Sequence, residues 1–126
     1  MNRFLNGVVV GSAIFFLFGT LLPANTSGNA LQRRLSTARA HDLFIQNCAR
    51  CHGSDGRADT ALGRLYQTPN LTDPEWWSRN PKLATPQAMR NIVTKGKSGM
   101  PAFGKKLKRA EISALVNYMY AFKNKK

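Results

Sequence analysis

A chain of 126 residues with a formal net charge of +13, from 19 Lys and Arg against 6 Asp and Glu, has room for one domain and a small core. A core of that size gains from an added source of stability, and the two cysteines are where a disulfide, metal or cofactor would attach. The charge favours encounters with acidic protein surfaces, anionic lipid or nucleic acid, but no zinc-finger spacing or ribonucleoprotein motif accompanies it, so no recognisable nucleic-acid module is present.

In chain order, Arg3 precedes an apolar run from Val8 to Leu22, which Pro23 and small polar residues ending in Gly28-Asn29-Ala30 follow. That is the order of a secretory signal. The run falls short of the about 20 residues that a membrane span needs. Extended from Phe4 to Ala24 it nearly reaches, so an uncleaved anchor is the other reading. Arg33, Arg34 and Arg39 would then lie outside the membrane, against the positive-inside tendency. Both readings export the rest of the chain, to the periplasm or to the outer face of the cytoplasmic membrane, where thiols tend to be oxidised or occupied. The expected organisation is a signal or anchor over residues 1–30, a linker over 31–39 and a domain over 40–126.

Beyond the signal the pattern is helical. Ser36 or Thr37 is a suitable cap for a helix through ARAHDLFIQNCARCH, where Ala40, Phe44, Cys48 and Cys51 recur at helical spacing. Gly53 to Thr68 reads as a surface loop, with Leu62, Leu65 and Tyr66 as inward anchors. Asp73-Pro74-Glu75 starts a short helix carrying Trp76 and Trp77, whose indoles serve packing before any polar role. Thr85-Pro86 starts another, with Ala88, Met89, Ile92 and Val93 on its apolar face and Gly96 as its end. A last helix runs from about Lys108 to Phe122. Four helices without a sheet give an all-α domain.

Cys48-Ala49-Arg50-Cys51-His52 is the CxxCH pattern of covalent haem attachment. Positions i and i+3 share a helix face, so both thiols can meet the two vinyl groups on one side of a porphyrin, and the next residue turns its imidazole to the iron. A disulfide has no need of His52, and a thioredoxin-like pair would follow a strand in a βαβ unit. A zinc site needs four ligands, for which only His41 could join these three, from too near the start of the same helix.

From about Ala40 to Lys123 the chain resembles the small, single-haem, class I cytochromes c of bacteria. Phe44 stands where that family has an aromatic on its first helix, Pro69-Asn70-Leu71 is similar to its proximal pocket, and GKSGMPAFG to its methionine loop. Leu115 and Tyr118 match the last helix that crosses the first, although Ala40 stands where the family usually has glycine. The resemblance implies a cytochrome c fold of three to five helices around one covalently attached haem c. Cys48 and Cys51 would form the thioethers, His52 and Met100 would be the axial ligands, and Pro69 and Leu71 would line the haem pocket. Met100 alone among the methionines after the signal sits in a loop, between Gly99 and Pro101, whereas Met89 and Met119 lie on apolar helix faces.

With both axial positions filled, no site is left for substrate, and iron that keeps its ligands exchanges one electron with little rearrangement. The expected function is electron carriage in an exported chain, not catalysis. Lys95, Lys97, Lys105, Lys106, Lys108 and Arg109 flank Met100 and would steer docking onto acidic faces of an oxidase, reductase or dehydrogenase. The N-terminal segment or the basic surface offers contact with a membrane. A haem-based small-ligand sensor with labile Met100, and an electron-input subunit of a membrane complex, are the alternatives.

Overall fold

The computed structural model describes residues 26–124, and its first helix, α1 (Thr26–Asn47), starts well before the caps expected at Ser36 or Thr37. Those two hydroxyls instead donate back to the carbonyl of Arg33 at 2.8 and 3.0 Å, as Ser and Thr do inside a continuing helix. The apolar run expected as a signal or anchor lies outside the described residues. Residues 31–39, expected as a linker, are helical as part of α1, and 31–34 and 36–39 are exposed. No described helix is long and apolar enough to cross a membrane.

At Cys48 the helix breaks, and a single turn, α2 (Ala49–His52), carries the rest of CARCH. The expected loop after Gly53 contains a further short helix, α3 (Ala61–Leu65), capped by Thr60, whose hydroxyl accepts from the Gly63 N–H at 2.8 Å. Leu65 corrects the expectation of an inward anchor, being 68% exposed. The reason is Gly63. A Cβ there would come within 2.1 Å of the Ala58 carbonyl and 2.6 Å of that of Cys51, so α3 turns its glycine inward and the opposite face, with Leu65, outward.

The remaining helices follow their caps. Asp73 accepts from the Glu75 N–H ahead of α4 (Pro74–Arg79), and Thr85 from that of Ala88 ahead of α5 (Pro86–Lys95). In both, proline takes the first helical position. α5 ends at Gly96, whose φ of +76° favours glycine. α6 (Arg109–Tyr120) starts where Glu111 accepts from the Lys108 N–H, and a 3-10 turn (Phe122–Asn124) follows it. Among the described residues no strand forms, only a backbone bridge between Lys97 and Met100.

The core is built where α1 crosses α6, with α5 packed on α6 as well. Ala40, Phe44, Leu115, Val116 and Phe122 are buried there, and the Phe44 ring lies 5.5 Å from that of Tyr118 and 5.2 Å from that of Phe122. The larger of these side chains, Phe44, Leu115, Val116 and Phe122, each contribute about 1.5–3 kcal/mol on burial. The crossing thus anchors the end of α1 that leads directly into Cys48 and His52. Trp77 and Tyr120 stack at 5.2 Å on a second side of the core, where the Tyr120 hydroxyl donates to the Ala84 carbonyl and ties α6 to the segment ahead of α5.

Candidate functional site

A cavity of about 700 Å³ opens between the CARCH turn and the loop that follows α5. Cys48, Cys51, His52, Pro69, Leu71 and Met100 all line it. The volume is within the range of about 300–1,000 Å³ that small-molecule and cofactor sites occupy.

Its proximal wall is set by backbone hydrogen bonds. The His52 N–H donates to the Cys48 carbonyl at 2.9 Å, completing the turn, and the Ala58 N–H donates to the His52 carbonyl at 2.8 Å. Thr60 donates its hydroxyl to the carbonyls of Arg50 and Cys51, so α3 is tied to the turn. The Leu71 N–H reaches the Gly56 carbonyl at 2.8 Å, and Asn70 shapes the turn by accepting from the N–H and hydroxyl of Thr72. Leu71 is buried, and Pro69 is partly so.

His52 is 8% exposed, and its Nδ1 is buried without a hydrogen bond of standard geometry. Burial lowers its pKa, while the nearby Pro69 carbonyl works in the opposite direction by favouring the protonated ring. The ring is therefore neutral at pH 7, the state in which imidazole binds metal. Both cysteines are free thiols; burial pushes the Cys48 thiol up to about 11, with Cys51 adding to the rise and Lys106 opposing it. Among the described residues no three His, Cys, Asp or Glu side chains gather as a zinc site would require. His41 is exposed beside Asp42 and Tyr118, away from the cavity.

These features fit a haem. A buried imidazole with an unpartnered nitrogen and two thiols one helical turn apart share one wall, and the lining is mainly apolar. Three thioethers line the cavity, since Met89 and Met119 join Met100 there. Met89 and Met119 are buried members of the core on α5 and α6; Met100 sits in a turn where it and Lys97 exchange backbone hydrogen bonds of 2.9 and 3.0 Å. That turn is joined to the end of α5 where the Phe103 and Gly104 N–H groups donate to Val93 and Thr94.

Two further residues line the cavity, Trp76, expected to serve packing, and Tyr66, expected as an inward anchor. Trp76 faces the cavity while Trp77 is buried, a division that two adjacent tryptophans on a short helix do not reveal by themselves. Tyr66 was expected to point inward, but it is 51% exposed and stands at the cavity's edge. Arg57 and Arg64 are exposed and pair with Asp55 and Asp59.

Comparisons with known proteins give the family. The family model described as cytochrome c oxidase, cbb3-type, subunit III matches residues 36–119. The cbb3-type cytochrome c oxidase subunit FixP of Azorhizobium caulinodans is 34% identical over 95 residues, covering 75% of this chain and 30% of that protein. The chain thus matches under a third of the length of that relative. Cytochrome c6 of Alaria esculenta is 30% identical over 78 residues, 62% of this chain and 81% of its own length. A solved c-type cytochrome, KustC0563, superposes with a TM-score of 0.59 at 29% identity, over 68% of this chain and 98% of that one. The matched span contains the turn, the pocket and the methionine loop alike, and the chain belongs to the cbb3-type cytochrome c oxidase subunit III family of small class I c-type cytochrome domains, electron-transfer proteins with covalently attached haem c.

Proposed function

We propose that this chain is a one-electron carrier in which Cys48 and Cys51 hold the haem and His52 and Met100 are its axial ligands. The observation that carries the reading is that His52 and Met100, from segments half the domain apart, line one cavity beside both thiols. Haem supplies the one-electron couple when bound. The protein's part is to hold both donors in place, keep the imidazole neutral and exclude water with Leu71, Val93 and Phe103.

The charge distribution supports docking onto acidic partners. All six carboxylates lie within 4 Å of an arginine or histidine, while no ion pair among the described residues engages Lys95, Lys97, Lys105 or Lys106. These exposed lysines flank the Met100 turn in sequence, and no Asp or Glu occurs between Glu75 and Glu111. They would steer association with an oxidase, reductase or dehydrogenase of the exported compartment. A second reading, an electron-input component of a membrane oxidase, draws on the names of the relatives, which are cbb3-type oxidase subunits.

The test is the optical spectrum of the full chain, produced with covalent haem, and of its Met100→Ala variant. The reading expects an iron–sulfur charge-transfer band in the oxidised wild type, lost in the variant, and carbon monoxide binding that is slow in the reduced wild type and far faster in the reduced variant. A wild type that lacks the band and binds carbon monoxide readily belongs instead to the sensor class.

A further inference from the structure

Tyr66 follows α3, lines the same cavity as His52 and Met100, and keeps half its surface in solvent. Its ring lies against Gly99 so closely that a Cβ built on Gly99 would stand 2.5 Å from ring Cδ1 and 2.8 Å from Cγ. Real Cβ atoms do not approach that near, so only glycine at position 99 leaves the ring where it is.

The contact spans the cavity. Tyr66 is fixed to the proximal wall, because its N–H donates to the Leu62 carbonyl and α3 is held to the Cys51 carbonyl by Thr60 and by the close approach of Gly63. Gly99 belongs to the opposite element, the turn that presents Met100. Within the turn, Lys97, Ser98 and Gly99 are exposed, and Ser98 has a φ of +52°. The turn's own bonds are the Lys97–Met100 pair, and its next tie to α5 comes only at Phe103. Tyr66 therefore gives the turn a support from outside its own segment. An aromatic ring suits the task, offering a broad rigid face with few rotatable bonds.

We propose that Tyr66 is a positioning residue that pins the Met100 turn to the CARCH wall, closing the cavity at that edge. This deepens the reading of Met100 as an iron ligand and rests on it. Loss of the contact lets the turn lift, so that the thioether leaves the cavity more often and small ligands enter.

The full chain with covalent haem, wild type, Tyr66→Leu, Tyr66→Phe, Gly99→Ala and Met100→Ala, is compared by carbon monoxide binding to the reduced protein. Hydrogen exchange at the amides of residues 97–100 is measured alongside. Tyr66→Leu and Gly99→Ala should each bind carbon monoxide about three- to tenfold faster than wild type and exchange those amides faster, the change expected on losing one packed aromatic contact. Tyr66→Phe, which keeps the ring, should match wild type. Gly99→Ala displaces the ring without removing it, so it separates the contact from mere bulk at the opening. If Met100→Ala opens the iron while Tyr66→Leu or Gly99→Ala behaves as wild type, the pinning role is wrong and the ligand reading stands. If Met100→Ala itself changes neither spectrum nor binding, both fall together.

Discussion

The indole N–H of Trp77 donates to the carbonyl of Leu71 at 2.8 Å, a buried bond that joins α4 to the segment carrying Pro69. It commits that indole to the backbone, leaving Trp76 as the tryptophan that faces the cavity. The adjacent pair thus divides the work, one holding the wall and the other lining it.

Trp77→Phe should keep most of the packing against Tyr120 and lose the bond, leaving the Leu71 carbonyl unpartnered. Such a loss costs about 1–3 kcal/mol. In a domain of this size each kcal/mol lowers the melting temperature by about 4–8 °C. Thermal unfolding followed by circular dichroism checks it, with Trp76→Phe, which leaves the bond intact, expected to melt at higher temperature than Trp77→Phe.

Met89 and Met100 line one cavity but should respond differently to removal. Met89 is 4% exposed within the core on α5, so Met89→Ala should cost about 2–5 kcal/mol in stability while the reduction potential stays near that of wild type. Met100→Ala should lower the potential, because a thioether favours ferrous iron. Equal potentials for wild type and Met100→Ala, or a large drop in Met89→Ala alone, would transfer the ligand role to Met89.

The caps and the attachment motif were legible because each is local. Asp73 and Thr85 start helices by accepting nearby backbone N–H groups on their side-chain oxygens, Gly96 ends one through its positive φ, and CARCH carries its spacing within one turn. What the sequence hid depends on contacts between distant segments. Tyr66 reads as a core aromatic until Gly99 is seen beneath it, and Leu65 reads as an anchor until Gly63 turns α3 over. The caps at Ser36 and Thr37 failed for a different reason: α1 already runs from Thr26 through both positions, so both hydroxyls bond within it. Likewise, the placing of Met89 and Met119 beside the cavity follows from how α5 packs on α6, which apolar periodicity alone leaves undetermined.

Gly63→Ala tests whether α3 must lie against the attachment turn. The added methyl would meet the Ala58 and Cys51 carbonyls at 2.1 and 2.6 Å, both backbone atoms that cannot swing aside. The turn must shift, and the yield of covalently attached haem should fall, as measured by haem staining of denatured protein against total chain. Ala61→Gly, at an exposed position on the same helix, serves as the control and should leave the yield near wild type.

Glu111 gives the fold a pH-dependent tie. The Lys108 N–H, at 2.9 Å from one carboxylate oxygen, and Arg39, at 2.6 Å from the other, hold its pKa below the ordinary 4.5. A carboxyl depressed in the folded state stabilises it above the unfolded value and loses that contribution as pH falls through the folded one. Glu111→Gln should therefore melt below wild type at neutral pH, and the gap should narrow as both are acidified through the ordinary carboxylate range and below it. A gap that stays constant over that range would mean that shape, not charge, accounts for the difference.

Lys105 and Lys106 lie exposed after the Met100 turn without a carboxylate partner, so neutralising them removes field without breaking an internal bond. The double variant Lys105→Gln with Lys106→Gln should exchange electrons more slowly with an acidic redox partner at low salt, by about tenfold if steering dominates. At high ionic strength the wild type should slow to the variant's rate, because exposed charges are screened beyond about 10 Å at 0.1 M salt. Arg57→Gln with Arg64→Gln changes the net charge equally, but each arginine already faces a carboxylate. If that pair slows the reaction as much as the lysine pair does, net charge sets the rate. If only the lysine pair slows it, the unpaired charge beside the Met100 turn is the docking field.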